Sequence, residues 1–191
     1  MNPDYHLKFK VCVSGAAETE FMAPDAMEKV ETIGRLIAEA GMITVTGATT
    51  GAPFWAAKGA KKAGGIVIGI SPAATKQEHV ELYKLPLDHH DLIVYTGFGY
   101  SGRNLLLTRA ADAVITVCGR IGTLNEFTDA FEDQKPQGVL LGTGGTTEMI
   151  KDMLAQAHRG TGKVVFDTDP QALVQKVRAM IEEDEKTLGV E

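Results

Sequence analysis

Apolar and polar positions along this chain fall into two alternating patterns. Short apolar runs rich in β-branched residues read as buried strands, and they occur at 8–13, 42–46, 66–70, 91–95, 111–118, 138–141 and 164–166. Between them lie segments whose apolar residues recur at helical spacing. In the first, Met27, Val30, Ile33, Ile37 and Ala40 follow Pro24-Asp25, and Gly41 takes the usual C-terminal position. Further helices are predicted over about 52–63, 103–111 and 146–158, and from Asp169-Pro170 onward, where Leu173, Val177 and Ile181 share a face. Residues 71–87 read as a long polar connection, a candidate lid or rim.

Strands alternating with helices predict a parallel sheet with right-handed crossovers. The expected fold class is α/β: a single Rossmann-like domain over 1–191, with a mostly parallel sheet of about six to seven strands and helices on both faces. Ligands of such sheets bind beyond the carboxyl ends of the strands. Glycine-bearing loops follow strands one, two, four, five and six, and all fall at those ends.

The stretch from Ala111 to Glu126 organises the rest. An apolar strand ends in the turn Cys118-Gly119-Arg120-Ile121-Gly122, and a helix opens after it. Gly119 and Gly122 let the backbone come close to a ligand. The helix N-terminus aims unpaired N–H groups and a positive dipole end at the same place, which suits a phosphate or other anion. Thr123-Leu124-Asn125-Glu126 fits a capping box, with Glu126 in the first turn. A capping carboxylate can still face the crevice. Arg103 and Arg120 are each expected at or just before a helix start, where a cation opposes the dipole at a cost of roughly 0.3–1 kcal/mol. Such breaches of local preference often mark functional sites, so an anionic ligand is expected between these arginines and the helix ends. The alternatives are that each arginine reaches solvent or pairs with a carboxylate.

Composition narrows the classes. The 191 residues are 44% hydrophobic and 23% charged, as in ordinary globular proteins. A formal net charge of −6 argues against nucleic acid as a partner. Cys12 and Cys118 form no zinc pattern and read as packing residues in a reducing cytoplasm. Met1 to His6 lack a signal-peptide layout, and no apolar run approaches the roughly 18 residues of a membrane span. No G-x-G-x-x-G follows the first strand, and no acid follows the second, so no NAD site is expected. Val164 after Gly162-Lys163 breaks the P-loop pattern. No metal site and no resident cofactor is expected. The adjacent His89 and His90 read as surface residues, and Phe54 and Trp55 as core. Phe98 and Tyr100 flank glycines near the site, where an aromatic could stack on a base.

At Gly119, Gly122, Thr123 and Glu126 the chain resembles the LOG (Lonely Guy) family, within the wider SLOG group of Rossmann-like proteins. The family signature is P-G-G-x-G-T-x-x-E; here Cys118 stands for the proline and Arg120 for the second glycine. The family arginine at the preceding helix matches Arg103, followed by Asn104 in place of the usual lysine. Thr46-Gly47-Ala48-Thr49-Thr50-Gly51 looks like the family's other ligand loop. The resemblance covers about 10–166.

In catalytic members it implies hydrolysis of a nucleoside 5′-monophosphate to base and ribose 5-phosphate. Glu126 would then stabilise oxocarbenium-like charge or orient water, and Arg103 would orient the nucleotide. Phosphate or ligand contacts are expected from Ser14, Gly15, Gly47, Thr50, Gly51, Gly119, Arg120, Ile121, Gly122 and Thr123. The altered signature also resembles a divergent branch that includes molybdenum-cofactor carrier proteins, which hold a phosphorylated pterin without turning it over. In that non-catalytic carrier or sensor reading, Glu126 mainly caps its helix and Arg120 grips phosphate. A homodimer or higher homo-oligomer is implied by the resemblance.

Overall fold

The computed structural model describes residues 7–187. The hexapeptide considered as a signal sequence lies outside them. Seven strands build one sheet: β1 (Lys10–Gly15), β2 (Ile43–Thr46), β3 (Val67–Ser71), β4 (Leu92–Tyr95), β5 (Ala113–Gly119), β6 (Gln137–Gly145) and β7 (Val164–Asp167). Their spatial order is β4-β3-β2-β1-β5-β6-β7, and every neighbouring pair is parallel. Helices lie on both faces. Helices α1 (Ala26–Glu39), α2 (Ala52–Lys62) and α6 (Pro170–Thr187) pack one side around Val13, Val30, Ile33, Ala52, Ile115 and Leu173. On the other side lie α3 (Gly99–Arg109), α4 (Ile121–Glu132) and α5 (Ile150–Ala157), around Leu107, Val114, Phe127 and Ile150.

The strand order reverses between β1 and β5. The crossovers from these two strands leave in opposite directions, which opens a crevice at their carboxyl ends. All seven residues of β5 are buried, as its unbroken apolar run requires.

Several boundaries differ from the sequence reading, each for a local reason. β1 runs on through Ser14 and Gly15, which pair with Thr116 and Val117 instead of forming a loop. α3 begins at Gly99, because the N–H groups of Gly97 and Gly99 are fixed by the carbonyls of Ala73 and Pro72. Its glycines disguise the first turn as loop. β6 continues to Gly145, which pairs with Gly119 across an irregularity at Cys118. Glu148 holds this extension: one carboxylate oxygen accepts from the backbone N–H groups of Gly142, Thr143 and Gly144 at 2.8–3.1 Å. The expected helix from 146 opens as a 3-10 turn, and α5 starts only at Ile150.

The 71–87 connection is pinned and is not a free lid. It contains a π-helical turn at Glu78–Leu82, and His79 within it is wholly buried. The His79 ring lies 2.8 Å from Ser71 Oγ and 3.0 Å from the Pro86 carbonyl. Among the described residues no helix is long and apolar enough to cross a membrane, and no group of three or more potential ligands could hold a metal.

Candidate functional site

A cleft of about 320 Å³ opens at the switch point. Its walls come from Gly15–Ala17 after β1, Thr49 after β2, Tyr100, Arg103 and Asn104 of α3, and Arg120–Thr123 with Glu126 at the start of α4. A larger concavity, about 440 Å³, lies at the opposite, amino edge of the sheet. Most of its charged groups already have partners: Lys163 pairs with Asp184 within it, and Asp112 and Asp133 pair with Lys10 and Arg109 beside it. It lacks the convergence of loop ends that marks the cleft.

Glu126 does not cap its helix. α4 begins at Ile121 with Arg120 as N-cap, so Glu126 sits in the second turn and points into the protein. It is 6% exposed. Ser14 Oγ donates to Oε2, and Arg103 Nη1 donates to Oε1 at 3.1 Å. The Asn104 amide, turned with its nitrogen inward, donates to the same Oε1 and to the Tyr100 carbonyl, both at 2.9 Å. Burial pushes the Glu126 carboxyl above its ordinary range, while Arg103 and Ser14 pull it back.

Arg103 is not at a helix start. It lies in the second turn of α3 and is 5% exposed. The dipole argument that singled it out therefore fails, although the residue does line the cleft. Among the described residues its one side-chain partner is Glu126, and its Nε has none. The guanidinium lies against Gly47: a Cβ there would meet Cζ at 2.9 Å and Nη2 at 3.0 Å. Gly47 is glycine because an arginine occupies the space of its side chain.

Arg120 does stand at a helix N-cap, half-exposed, where it pairs with Glu18 at 2.6 Å and covers the Phe21 ring. Each arginine of the cleft thus carries a carboxylate partner. The expected concentration of bare positive charge is offset in the free protein.

The turn itself is divided. The N–H of Cys118 donates to Thr143 Oγ1 at 2.9 Å, and that of Gly119 to Thr147 Oγ1 at 3.0 Å. These donors are already satisfied by the chain. A Cβ on Gly119 would meet Thr146 and Thr123, one on Gly15 would meet Ala52, and one on Gly51 would meet the Ala16 carbonyl. These three glycines admit neighbouring protein. Gly122 differs: nothing lies within 4 Å of its would-be side chain, and it faces the cleft. α4 has no side-chain cap and no acid in its first turn, so the N–H groups of Ile121, Gly122 and Thr123 are the donors offered there.

Of the expected contacts, Gly15, Arg103, Arg120, Ile121, Gly122, Thr123 and Glu126 line the cleft. Ser14 reaches it through Glu126. Gly47, Thr50, Gly51 and Gly119 shape it from behind; Thr50 Oγ1 donates to the Ala17 carbonyl at 3.1 Å, and Thr49 takes the lining position. The sequence reading missed Asn104 and Thr49. Tyr100 lines the cleft, whereas Phe98 is 68% exposed outside it and Phe54 packs on His89. Cys118 is buried with φ +25°, and burial pushes its thiol up to about 12, so it packs and does not react at neutral pH. His90 is only partly exposed: its ring reaches inward to Thr46 Oγ1 at 2.9 Å.

Comparison with known proteins places these features. A structure of the molybdenum cofactor binding protein from Rippkaea orientalis is similar, at 28% identity and TM-score 0.76, over 93% of this chain and 99% of that one. A molybdenum cofactor carrier protein from Chlamydomonas reinhardtii gives 25% and 0.72, over 92% and 99%. DNA processing protein A from Helicobacter pylori, at 18% and TM-score 0.65 over 90% and 81%, shares the fold alone. An uncharacterized protein of Archaeoglobus fulgidus is 35% identical over 103 residues, which span 54% of this chain and 62% of that relative. The SLOG cluster4 family model matches residues 8–174. That match takes in every strand and the whole cleft, and the chain belongs to the SLOG cluster4 family.

Proposed function

We propose that the cleft binds a small phosphorylated ligand, a pterin or a nucleotide, and holds it without turnover. The observation that carries this reading is the start of α4. Three backbone donors with no side-chain cap and no acid in their own turn open onto the cleft, and Arg120, paired with Glu18, stands at the same helix end. An anion there gains both the dipole and the N–H groups. Similarity to carriers and binders of the molybdenum cofactor supports a phosphorylated pterin as cargo.

Hydrolysis of a nucleoside 5′-monophosphate is the second reading. It is favoured by Glu126, which lines the cleft instead of capping α4. In that reaction water adds to the anomeric carbon, the C–N bond breaks, and the base leaves with a proton. The Glu126 carboxylate would stabilise the positive charge that develops on the sugar, and Arg103 would orient the nucleotide. Incubation with AMP, GMP, CMP and UMP, followed for free base, separates the two. Retention of a phosphorylated pterin through gel filtration without base release supports carriage. Base release that disappears in Glu126→Ala supports hydrolysis. Neither retention nor release overturns both.

We also propose a homo-oligomer. Leu92 and Val94 of β4 pair with Ile68 and Ile70, so all four share one face of the sheet, yet Leu92 and Val94 are 55% and 43% exposed. Parallel sheets are covered on both faces, and a second copy would cover this corner. Both cysteines are free and buried, which fits the cytoplasm as the expected setting. Sedimentation of wild type and Leu92→Lys tests the oligomer: a dimer that dissociates in the variant supports it, and a monomeric wild type contradicts it.

A further inference from the structure

We infer that His90 is a positioning residue for Arg103, acting through Thr46 and the Gly47-Ala48 turn. His90 does not line the cleft; it sits before β4, two strands away from β2.

The ring crosses above β3 because Gly69 leaves room. A Cβ at Gly69 would stand 2.9 Å from His90 Cδ2 and 2.8 Å from the Ala48 methyl. The hydrogen bonds fix the tautomer. His90 Nδ1 lies 2.8 Å from the Asp88 carbonyl, which only accepts, so Nδ1 carries the proton. Nε2 is then an acceptor and takes the Thr46 hydroxyl proton at 2.9 Å. Thr46 Oγ1 in turn accepts from the Ala48 N–H at 3.1 Å. Every donor in this relay points one way.

Ala48 needs such support. Its φ of +52° lies in the left-handed region, which a residue with a side chain adopts only when its surroundings hold it there. Gly47, one residue earlier, is the surface on which the Arg103 guanidinium rests. Since among the described residues Arg103 has Glu126 as its one side-chain partner and no partner at Nε, the turn sets where the guanidinium lies as much as hydrogen bonding does.

A proton on Nε2 breaks the relay. Both ring nitrogens then donate, the Thr46 oxygen receives two donors, and its own hydroxyl proton has no acceptor. Burial opposes that proton and holds His90 below its ordinary range. The charged and titratable groups around the ring are His79 in the 71–87 connection, His89 packed on Phe54 of α2, and Asp91, which is tied to Lys61 of α2. Arg103 lies beyond Gly47 on α3.

The test reads the Arg103 Nε–H signal in 15N-labelled full-length protein from pH 8 down to pH 5, assigned with Arg103→Lys. It needs no ligand, so it stands apart from whether the cleft holds a nucleotide or a pterin. In wild type the Arg103 signal is expected to move in step with the His90 ring titration. In Thr46→Val, which keeps the shape and removes the hydroxyl, the His90 titration should persist while the Arg103 response is lost. In His90→Gln, whose amide can donate to Asp88 and accept from Thr46, the signal should stay near its wild-type pH 8 position through the pH range over which His90 titrates in wild type; any movement that tracks Glu126, the hydrogen-bond partner of Arg103, is common to all variants. An Arg103 signal that ignores the His90 titration in wild type overturns the inference, as does one that still follows it in Thr46→Val.

Discussion

The hydroxyl of Ser14 donates to Oε2 of Glu126, joining the end of the first strand to a helix that begins more than a hundred residues later. This bond spans the switch point and fixes the carboxylate at the floor of the cleft. Ser14→Ala leaves that side of a buried carboxylate without a donor, at a cost of about 1–3 kcal/mol. Urea unfolding at neutral pH is expected to show that loss. An unchanged midpoint would mean that Ser14 does not hold Glu126.

Glu126 should also shape the pH dependence of stability. Burial raises its carboxyl in the folded protein above the ordinary 4.5. The native state then binds the proton more tightly than the unfolded chain does. The contribution is fully present below the unfolded carboxylate range and is lost as pH rises through the raised native value. Glu126→Gln cannot titrate. The stability difference between wild type and this variant should therefore shift in favour of the variant as pH rises through that window. A difference that moves the other way would show that Arg103 outweighs burial.

Gly47→Ala should act at a distance from its own loop. The new methyl would meet the Arg103 guanidinium, which would have to leave Glu126 or push the turn aside. Overpacking of this kind costs about 1–3 kcal/mol. Lower denaturant midpoints together with weaker AMP or pterin binding are expected. Wild-type behaviour in both assays would contradict the close packing.

Arg120 and Glu18 make an exposed pair, worth less than about 1 kcal/mol to the fold. Arg120→Ala should leave unfolding nearly unchanged. It should weaken a phosphorylated ligand by about tenfold, the equivalent of ~1.4 kcal/mol. Glu18→Gln should tighten the same ligand about threefold, since it frees Arg120 from a competing carboxylate. Calorimetry on the two variants checks both signs.

Much of this was legible in the chain. The strand–helix alternation carried the fold class, because apolar period reports burial directly. The cleft was legible from glycines at strand ends and from the Gly119–Glu126 segment. What could not be read was which glycine faces ligand and which faces protein. Gly122 is open, whereas Gly47 is filled by Arg103 and Gly119 by Thr146, and sequence holds no sign of a partner so far along the chain. The capping box failed for a similar reason: the N-cap of α4 is Arg120, three residues before Thr123, and Ser14 and Arg103 claim Glu126. The dipole argument does not apply to Arg103 in the second turn of α3, whereas the match to the family arginine does point to its place in the cleft. His90 looked like surface because its partner, Thr46, lies on a strand it does not neighbour.

The most direct measurement is a titration of 15N-labelled protein with a phosphorylated pterin and, separately, with AMP, read at the backbone amides of Ile121, Gly122 and Thr123. If the phosphate sits on the start of α4, these three signals move together and saturate with one of the ligands, while those of Cys118 and Gly119, already bonded to Thr143 and Thr147, move little. Saturating binding that leaves residues 121–123 unmoved, or no binding of either ligand, would contradict the proposed role of this helix end.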